Sequence, residues 1–440
     1  MKQETFEKFA GETENNFKQS EIDLFPEDWE VVRLGEVAEV KAGQSAPQGE
    51  KYFQNGKYPF IRVQHIDNND YKIMGWDLIN DMAVKDYRLK LFSKGTIVFP
   101  KSGAAVYLEK RAMLPFDAYI VSHLCAVNSK SEKLLQRFLF YFLVSQKLAK
   151  KKAEGYPTLN LSEVKEILIP LLPLSEQRKI ARVLDKIQRA IELQDRIIEQ
   201  AKNLKKSLMQ KLFTEGLYGE EQKEMEIGLI PKSWEVVKLG EVTNIKTSTS
   251  SPTLIKEYIT SRPTNSEIAK ILYLKVADLN LPINTTYIIE SKEIIYAPRE
   301  VIDHFNVVPP FSIIFPKRGG AISTNKKRIT RFYSLIDPNL AAVTPSKAIN
   351  IIFLYYWFIT FDLLTITDRS PIPQLNKKDI EQIRIPLPPL EEQKQIAHIL
   401  STVDRKIEVE QKRKQVLKEL FKTMLHKLMS GEIRLKEVEI

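Results

Sequence analysis

Two stretches of this chain carry apolar residues in alternating steps of three and four. Over residues 175–213 the stripe is Ile180, Leu184, Ile187, Ile191, Ile198, Ala201, Leu208 and Leu212. Towards the end of the chain it is Ile396, Leu400, Val403, Ile407, Leu417, Phe421, Met424 and Leu428. The spacing predicts two helices of roughly 40 residues, about 60 Å long at 1.5 Å per residue. Gln194 and Lys205 interrupt the first stripe, and Glu410 and Lys414 the second. A stripe this narrow favours two helices paired with each other. The alternative, two helices each coating its own domain, stays open on the pattern alone. If the helices pair, an antiparallel arrangement is expected, because a parallel one would oblige the intervening chain to run back the full length of the rod. It would set one domain at each end, related by an approximate twofold axis.

Elsewhere the apolar runs are short and bounded by Gly and Pro, as in 58–63 (YPFIRV) and 95–99 (GTIVF), which predicts buried strands. Residues 134–144 (LLQRFLFYFLV) have aromatics on every side of a helical projection and predict a buried helix. The order then repeats. PEDWEVVRLGEV at 26–37 returns as PKSWEVVKLGEV at 231–242, an offset of 205. IVFPKSGAA at 97–105 returns as IIFPKRGGA at 313–321, and IPLLPLSEQRKIARVL at 169–184 as IPLPPLEEQKQIAHIL at 385–400, both at 216. The second copy therefore gains 11 residues between its first two anchors. Residues 60–63 match 273–276, and 138–143 match 354–359.

The pattern predicts an α+β protein of two mixed domains, at 26–173 and 231–389, separated by two long antiparallel helices in a coiled coil, at 174–215 and 390–433. An N-terminal extension at 1–25, a linker at 216–230 and a tail at 434–440 complete the chain. Each domain closes on a proline-rich stop where the following helix begins. The two copies keep their opening motif and exit helix and diverge between them, as expected of one frame carrying two different surfaces.

Lys and Arg number 66 against 56 Asp and Glu, a formal charge of +10, which favours a polyanionic partner. The single cysteine, Cys125, excludes an internal disulfide, and the five histidines offer no spacing that completes a zinc site with it. A reducing, cytoplasmic setting is expected. The first sixteen residues are polar where a signal peptide would be apolar, and the longest apolar run, 351–361, is about half a membrane span.

Catalytic signals are weak. Val308-Pro309-Pro310-Phe311 imitates the Asn/Asp-Pro-Pro-Tyr/Phe motif of amino-methyltransferases, but Val308 cannot accept the hydrogen bond that motif requires, and no glycine-rich cofactor loop accompanies it. Asp28 with Glu39 and Lys41 imitates nuclease spacing, yet the second copy has Ser233 and Asn244 in the acid positions. No metal site and no catalytic residue are expected.

Binding signals are stronger. Residues 317–331 (KRGGAISTNKKRITR) place Lys317, Arg318, Lys326, Lys327, Arg328 and Arg331 in one segment without a carboxylate, around a Gly-Gly turn suited to phosphate contacts and guanine recognition. The matching segment keeps Lys101, Lys110 and Arg111 beside Glu109. These nine residues are the candidate DNA contacts, and neutralising Lys326, Lys327 and Arg328 together is expected to weaken binding. The expected helix-pair seam is Ile180, Leu184, Ile187, Ile191, Ile198 and Leu208 against Ile396, Leu400, Val403, Ile407, Leu417, Phe421 and Met424.

The doubled WEVV(R/K)LGEV motif, the doubled Leu-Asn step (Leu159-Asn160 and Leu375-Asn376) and the doubled Ile-Pro-Leu-x-Pro-Leu-x-Glu-Gln-x-x-Ile-Ala exit resemble the DNA-specificity subunits of type I restriction-modification systems, over nearly everything after residue 25. The resemblance implies a non-catalytic reader of double-stranded DNA, with one target-recognition domain for each half of a split, asymmetric site and the helix pair fixing the unread spacer. It implies two modification subunits as partners, with restriction subunits able to join. S-adenosylmethionine, ATP and magnesium would serve those partners and not this chain. The competing reading is a coiled-coil adaptor between proteins that does not touch DNA.

Overall fold

The computed structural model describes residues 17–19, 24–68, 70–151, 157–261, 267–368 and 370–435. It divides into two compact units, Met1–Asp195 with Lys412–Ile440, and Arg196–Gln411. The first long helix is Leu174–Thr214 and the second Leu390–Met429, so each gives one part to each unit.

In the first unit a four-stranded antiparallel sheet runs in the spatial order Ala38–Ala42, Leu124–Ser129, Ile97–Pro100, Ala112–Met113, with Leu124↔Pro100 and Cys125↔Ala42 in register. A three-stranded sheet, Asp77–Ile79, Tyr58–Ile61, Tyr119–Ile120, stands beside it. The opening motif forms strand Glu30–Arg33, which pairs antiparallel with Leu168–Leu171 of the exit. The helix Gln136–Ser145 buries six consecutive residues, Phe138 to Leu143, because apolar chains surround it on all sides.

The second unit repeats this plan. Thr243–Lys246, Leu340–Pro345, Ile313–Pro316, Arg328–Thr330 and Tyr287–Ile288 form one sheet, and Glu293–Pro298, Ile268–Leu274 and Tyr333–Ile336 another. Glu235–Lys238 pairs with Arg384–Leu387, and Ile351–Thr360 is the buried helix. The longer spacing between the first two anchors is spent where the second unit builds helix Pro252–Ser261 and the first only a single turn at Glu50–Tyr52.

Within the first unit Glu176, near the start of the first helix, meets the segment just beyond the end of the second, while Asp195 pairs with Lys414, so the helix pieces are antiparallel. In the second unit Lys205 Nζ lies 2.7 Å from Asp404 Oδ1. The two lysines among the polar interruptions, Lys205 and Lys414, are therefore each ion-paired to the other helix within their unit. Glu410 is buried and pairs with Lys406 one turn before it.

The expectation that the helices serve each other and not the domains needs correction. Ile180, Leu184, Ile191, Phe421 and Met424 belong to one continuous core with Trp29, Phe138, Tyr141 and Ile169, with Ile187 and Leu417 packed on its margin. Ile396, Leu400, Met209 and Leu212 do the same with Trp234, Phe353 and Ile385, with Leu208 at the margin. Ile198 and Ile407 are buried, and Val403 is half-buried. Within each unit the helix pieces pair and also close the domain core.

Each domain also grips its long helix by a buried tyrosine. Tyr141 donates to Asp185 at 2.6 Å, beside Arg137, and Tyr356 donates to Asp404 at 2.6 Å, beside Lys205. Burial and the neighbouring carboxylate hold both phenols in their neutral form, well above the usual tyrosine range. Asp404→Ala is expected to cost about 2–3 kcal/mol, since it strips both the Tyr356 hydroxyl and the Lys205 ammonium of their acceptor. Urea unfolding would measure it, and a loss below about 0.5 kcal/mol would mean the grip is solvent-compensated.

The segments expected as extension, linker and tail carry structure of their own. Phe17–Gln19 pairs antiparallel with Leu24–Pro26, so the extension contributes a hairpin; residues 1–16 and 20–23 lie outside the described residues. The counterpart in the second unit, Gln222–Met225 with Gly228–Pro231, occupies the stretch expected to be a linker. Arg434, expected in a tail, is 5% exposed. It contacts Asp28 at 2.8 and 3.0 Å and Glu176 at 2.8 and 2.9 Å, with its guanidinium over the Trp29 ring.

Candidate nucleic-acid interface

The strands Ile97–Pro100 and Ile313–Pro316 are fully buried, and each delivers a lysine to the surface directly after a Phe-Pro step. Pro100 and Pro316 sit at the last ladder position, paired with Leu124 and Leu340. In both units the lysine backbone is then held from two sides. Lys101 N–H donates to the His123 carbonyl at 2.8 Å and its carbonyl accepts from Leu159 N–H at 2.7 Å; Lys317 N–H donates to the Asn339 carbonyl at 2.8 Å and its carbonyl accepts from Leu375 N–H at 2.9 Å. The next residue forms an isolated antiparallel bridge, Ser102 with Thr158 and Arg318 with Gln374. The following glycine donates to a proline carbonyl, Gly103 to Pro157 at 2.9 Å and Gly319 to Pro373 at 2.7 Å. The doubled Leu-Asn step thus has a structural task, which is to present the far side of a backbone clamp.

Gly103 and Gly319 have φ of +83° and +70°, and each opens a short 3-10 turn, Ala104–Leu108 and Gly319–Thr324. A left-handed backbone at these points is costly for any residue with a Cβ. The Gly-Gly turn expected from sequence is therefore a helical turn, ended by Glu109 or Asn325, both at positive φ.

The candidate cations fall into two groups. Lys101, Lys317, Lys326 and Arg328 are half-buried, and Arg318 and Arg331 are exposed. Burial and the adjacent Arg318 charge hold the Lys317 ammonium below the usual lysine value, and an anion seated beside it would reverse that cost. Lys326 pairs with the Asn280 side chain, Arg328 donates from Nε to the Asn284 carbonyl at 2.9 Å, and the Arg331 guanidinium lies 4.2 Å from the centre of the Tyr287 ring.

The other three turn inward, contrary to their reading as solvent-facing contacts. Lys110 donates to the Ile66 carbonyl at 2.8 Å. Arg111, 2% exposed, binds Glu109 at 2.5 Å and the Lys110 carbonyl at 2.8 Å and covers the Phe99 ring. Lys327, 1% exposed, donates to Asn325 Oδ1 at 2.7 Å and the Phe361 carbonyl at 2.5 Å over the Phe358 ring. Arg111 and Lys327 are related by the repeat offset of 216, as are their partners Glu109 and Asn325. Both side chains are buried against the residue that ends the 3-10 turn.

Sequence reading passed over His123 and Gln374. His123 is exposed, with Nδ1 at 2.7 Å from Ser102 Oγ. Gln374 faces Arg318 across the bridge, and its backbone N–H donates to Asp368 at 2.8 Å. The signal was present: Gln374 immediately precedes the repeated Leu-Asn step, and His123 takes the position of Asn339 at the common offset.

Of the nuclease-like trio, Asp28 pairs with Arg434, while Glu39 and Lys41 pair with each other at 2.5 Å. Val308 is buried and bridges Ser334, so the Val-Pro-Pro-Phe segment is the turn leading to Ile313–Pro316. No helix among the described residues is long and apolar enough to cross a membrane.

The sequence profile of the type I restriction modification DNA specificity domain matches residues 26–203 and again 231–419. The type I restriction enzyme MjaVIII specificity subunit of Methanocaldococcus jannaschii is 28% identical over 438 residues, covering 97% of each chain. The MjaIX specificity subunit of the same organism is 27% identical, covering 98% of this chain and 99% of its own. Among solved structures, the S subunit of a type I restriction-modification system from M. genitalium has the same fold, with a TM-score of 0.53 at 18% identity over 94% of this chain and 99% of that one.

Proposed function

The chain belongs to the type I restriction-modification DNA-specificity family, and from that membership we propose that it reads a bipartite, asymmetric DNA target, one half-site per unit. The observation that carries the reading is the shared lysine clamp. Two units present the same backbone frame, with a lysine at the same point, and surround it with different side chains. A common lysine suits a common phosphate, and differing neighbours suit differing bases. The long helices would fix the unread spacer. Two modification subunits that methylate adenine with S-adenosylmethionine would dock on the chain and extract the target base, and restriction subunits that use ATP and magnesium could join. The chain itself contributes recognition and no chemistry, and its work belongs in the cytoplasm with the DNA.

Mapping methylated adenines in the native genome with and without this gene tests the reading. A split motif that loses methylation on deletion is expected, and an unchanged map would favour the adaptor. In binding titrations with the modification subunit present, Lys101→Ala with Lys317→Ala is expected to reduce the slope of log affinity against log salt by about 2, roughly 1 for each phosphate that is no longer neutralised. An unchanged slope would remove the clamp lysines from the interface. The buried Lys327 is unsuited to such a test, because its ammonium faces Asn325 and the Phe361 carbonyl and not the surface.

A further inference from the structure

We propose that the residue after the clamp lysine is the base reader of each unit, so that Arg318 grips a guanine in one half-site while the Ser102 hydroxyl and His123 imidazole read a different base in the other; this rests on the DNA-reading function above. The argument is a comparison of the molecule with itself. Three backbone hydrogen bonds per unit, all between 2.7 and 2.9 Å, fix residues 101–103 and 317–319 in the same frame. Side chains mounted on one frame point to one surface, so a difference in side chain at matched positions is a difference in what that surface recognises. The lysine is common to both frames. The next residue is serine in one and arginine in the other, and the facing residue is Thr158 in one and Gln374 in the other.

The two versions have incompatible chemistry. In the first unit Ser102 and His123 are joined at 2.7 Å, which consumes one of the polar groups each offers and leaves a compact hydroxyl-imidazole pair. In the second, position 339 is an asparagine turned to Asp337, with 3.3 Å from its amide nitrogen to Oδ2, and Arg318 stands without it. The Arg318 guanidinium is exposed and makes no hydrogen bond or ion pair among the described residues. Every other cation of the 317–331 segment except Lys317 already has a partner: Asn280 for Lys326, Asn325 for Lys327, Asn284 for Arg328 and the Tyr287 ring for Arg331. A free planar fork with parallel donors matches the O6 and N7 acceptors of guanine in the major groove.

Space for the duplex is provided by the next two residues. Gly319 needs its left-handed backbone, but a Cβ on Gly320 would meet nothing within 4 Å. The protein's own packing therefore does not require glycine at 320, and an approaching nucleic-acid backbone would supply the missing reason.

The test uses the full-length chain with its modification subunit and a randomised duplex library, sequencing what is bound. Wild type is expected to select a bipartite consensus. Arg318→Ala is expected to lose preference at a single guanine in one half by roughly 5- to 150-fold and leave the other half intact. Arg318→Lys is expected to restore overall affinity without restoring that preference, since an ammonium keeps the charge and loses the paired donors. A wild-type consensus unchanged by Arg318→Ala would overturn the assignment and make Arg318 a phosphate contact, and a preference fully rescued by Arg318→Lys would overturn the paired-donor grip on guanine. Absence of any consensus with wild type would instead overturn the DNA-reading function itself, and this proposal with it.

Discussion

Arg434→Ala is expected to lower the stability of the first unit by about 3–5 kcal/mol, the range for removing one partner of a buried ion pair. The guanidinium spends all its geometry on two carboxylates: Asp28 on one edge and Glu176 on the other, at 2.8 to 3.0 Å. Glu176 is 1% exposed and Asp28 43%, so the loss is asymmetric. Asp28 regains water, whereas Glu176 keeps, among the described residues, the Leu435 N–H at 3.3 Å and stays desolvated. The repeat supplies an internal control. Glu392, at the matching position of the second helix, accepts instead from Leu217 N–H at 2.9 Å and Trp234 Nε1 at 3.1 Å, so a buried carboxylate there is satisfied without an arginine. Glu176→Gln in the Arg434→Ala background should therefore recover part of the stability by removing the unpaired charge, and Arg434→Lys should recover little, because one ammonium cannot bridge both carboxylates in parallel. Denaturant unfolding of the four chains measures this. A loss below about 1 kcal/mol, within the range of ordinary surface effects, would show that the segment after the second helix is not anchored.

What was legible in the sequence follows from how local its cause is. The helices were legible because a repeat of three and four is written in consecutive residues, and the duplication because its anchors are strings. The interruptions Lys205 and Lys414 were not legible, since their partners Asp404 and Asp195 lie about 200 residues away and nothing local marks them. The basic segment was misread for the same reason. Six cations without a carboxylate read as solvated, yet Lys327 is drawn inward by Asn325 and the Phe361 carbonyl, an asparagine and a peptide group that carry no charge to signal a pair. Comparing the copies would have helped, because at the repeat offset Arg111 meets another cation, Lys327, while Ser102 meets an arginine, Arg318. Coincidence between diverged copies marks structure, and contrast on a common frame marks recognition.

Lys327→Met is expected to abolish a rise in stability between about pH 7 and pH 10 that the unsubstituted chain shows. Burial pushes the Lys327 ammonium down to about 7, only partly opposed by Asp362. In the unfolded chain the same group titrates near its ordinary value of 10.5. Between these values the unfolded state binds the proton and the folded state does not, so stability climbs with pH, by at most about 1.4 kcal/mol per unit. Below pH 7 both states are protonated and the folded state bears the full cost of a desolvated charge; above 10.5 both are neutral and that cost is gone. Methionine fits the change because neither acceptor is orphaned by it. Asn325 Oδ1 still accepts from Leu363 N–H at 3.1 Å, and the Phe361 carbonyl from Asn325 Nδ2 at 3.0 Å. At pH 6 the substituted chain should therefore be at least as stable as the original, by an amount up to a few kcal/mol, and near pH 10 the two should converge. Unfolding midpoints across this range decide the matter: parallel curves, or a methionine chain weaker at pH 6, would show that Lys327 is held as a fully compensated cation.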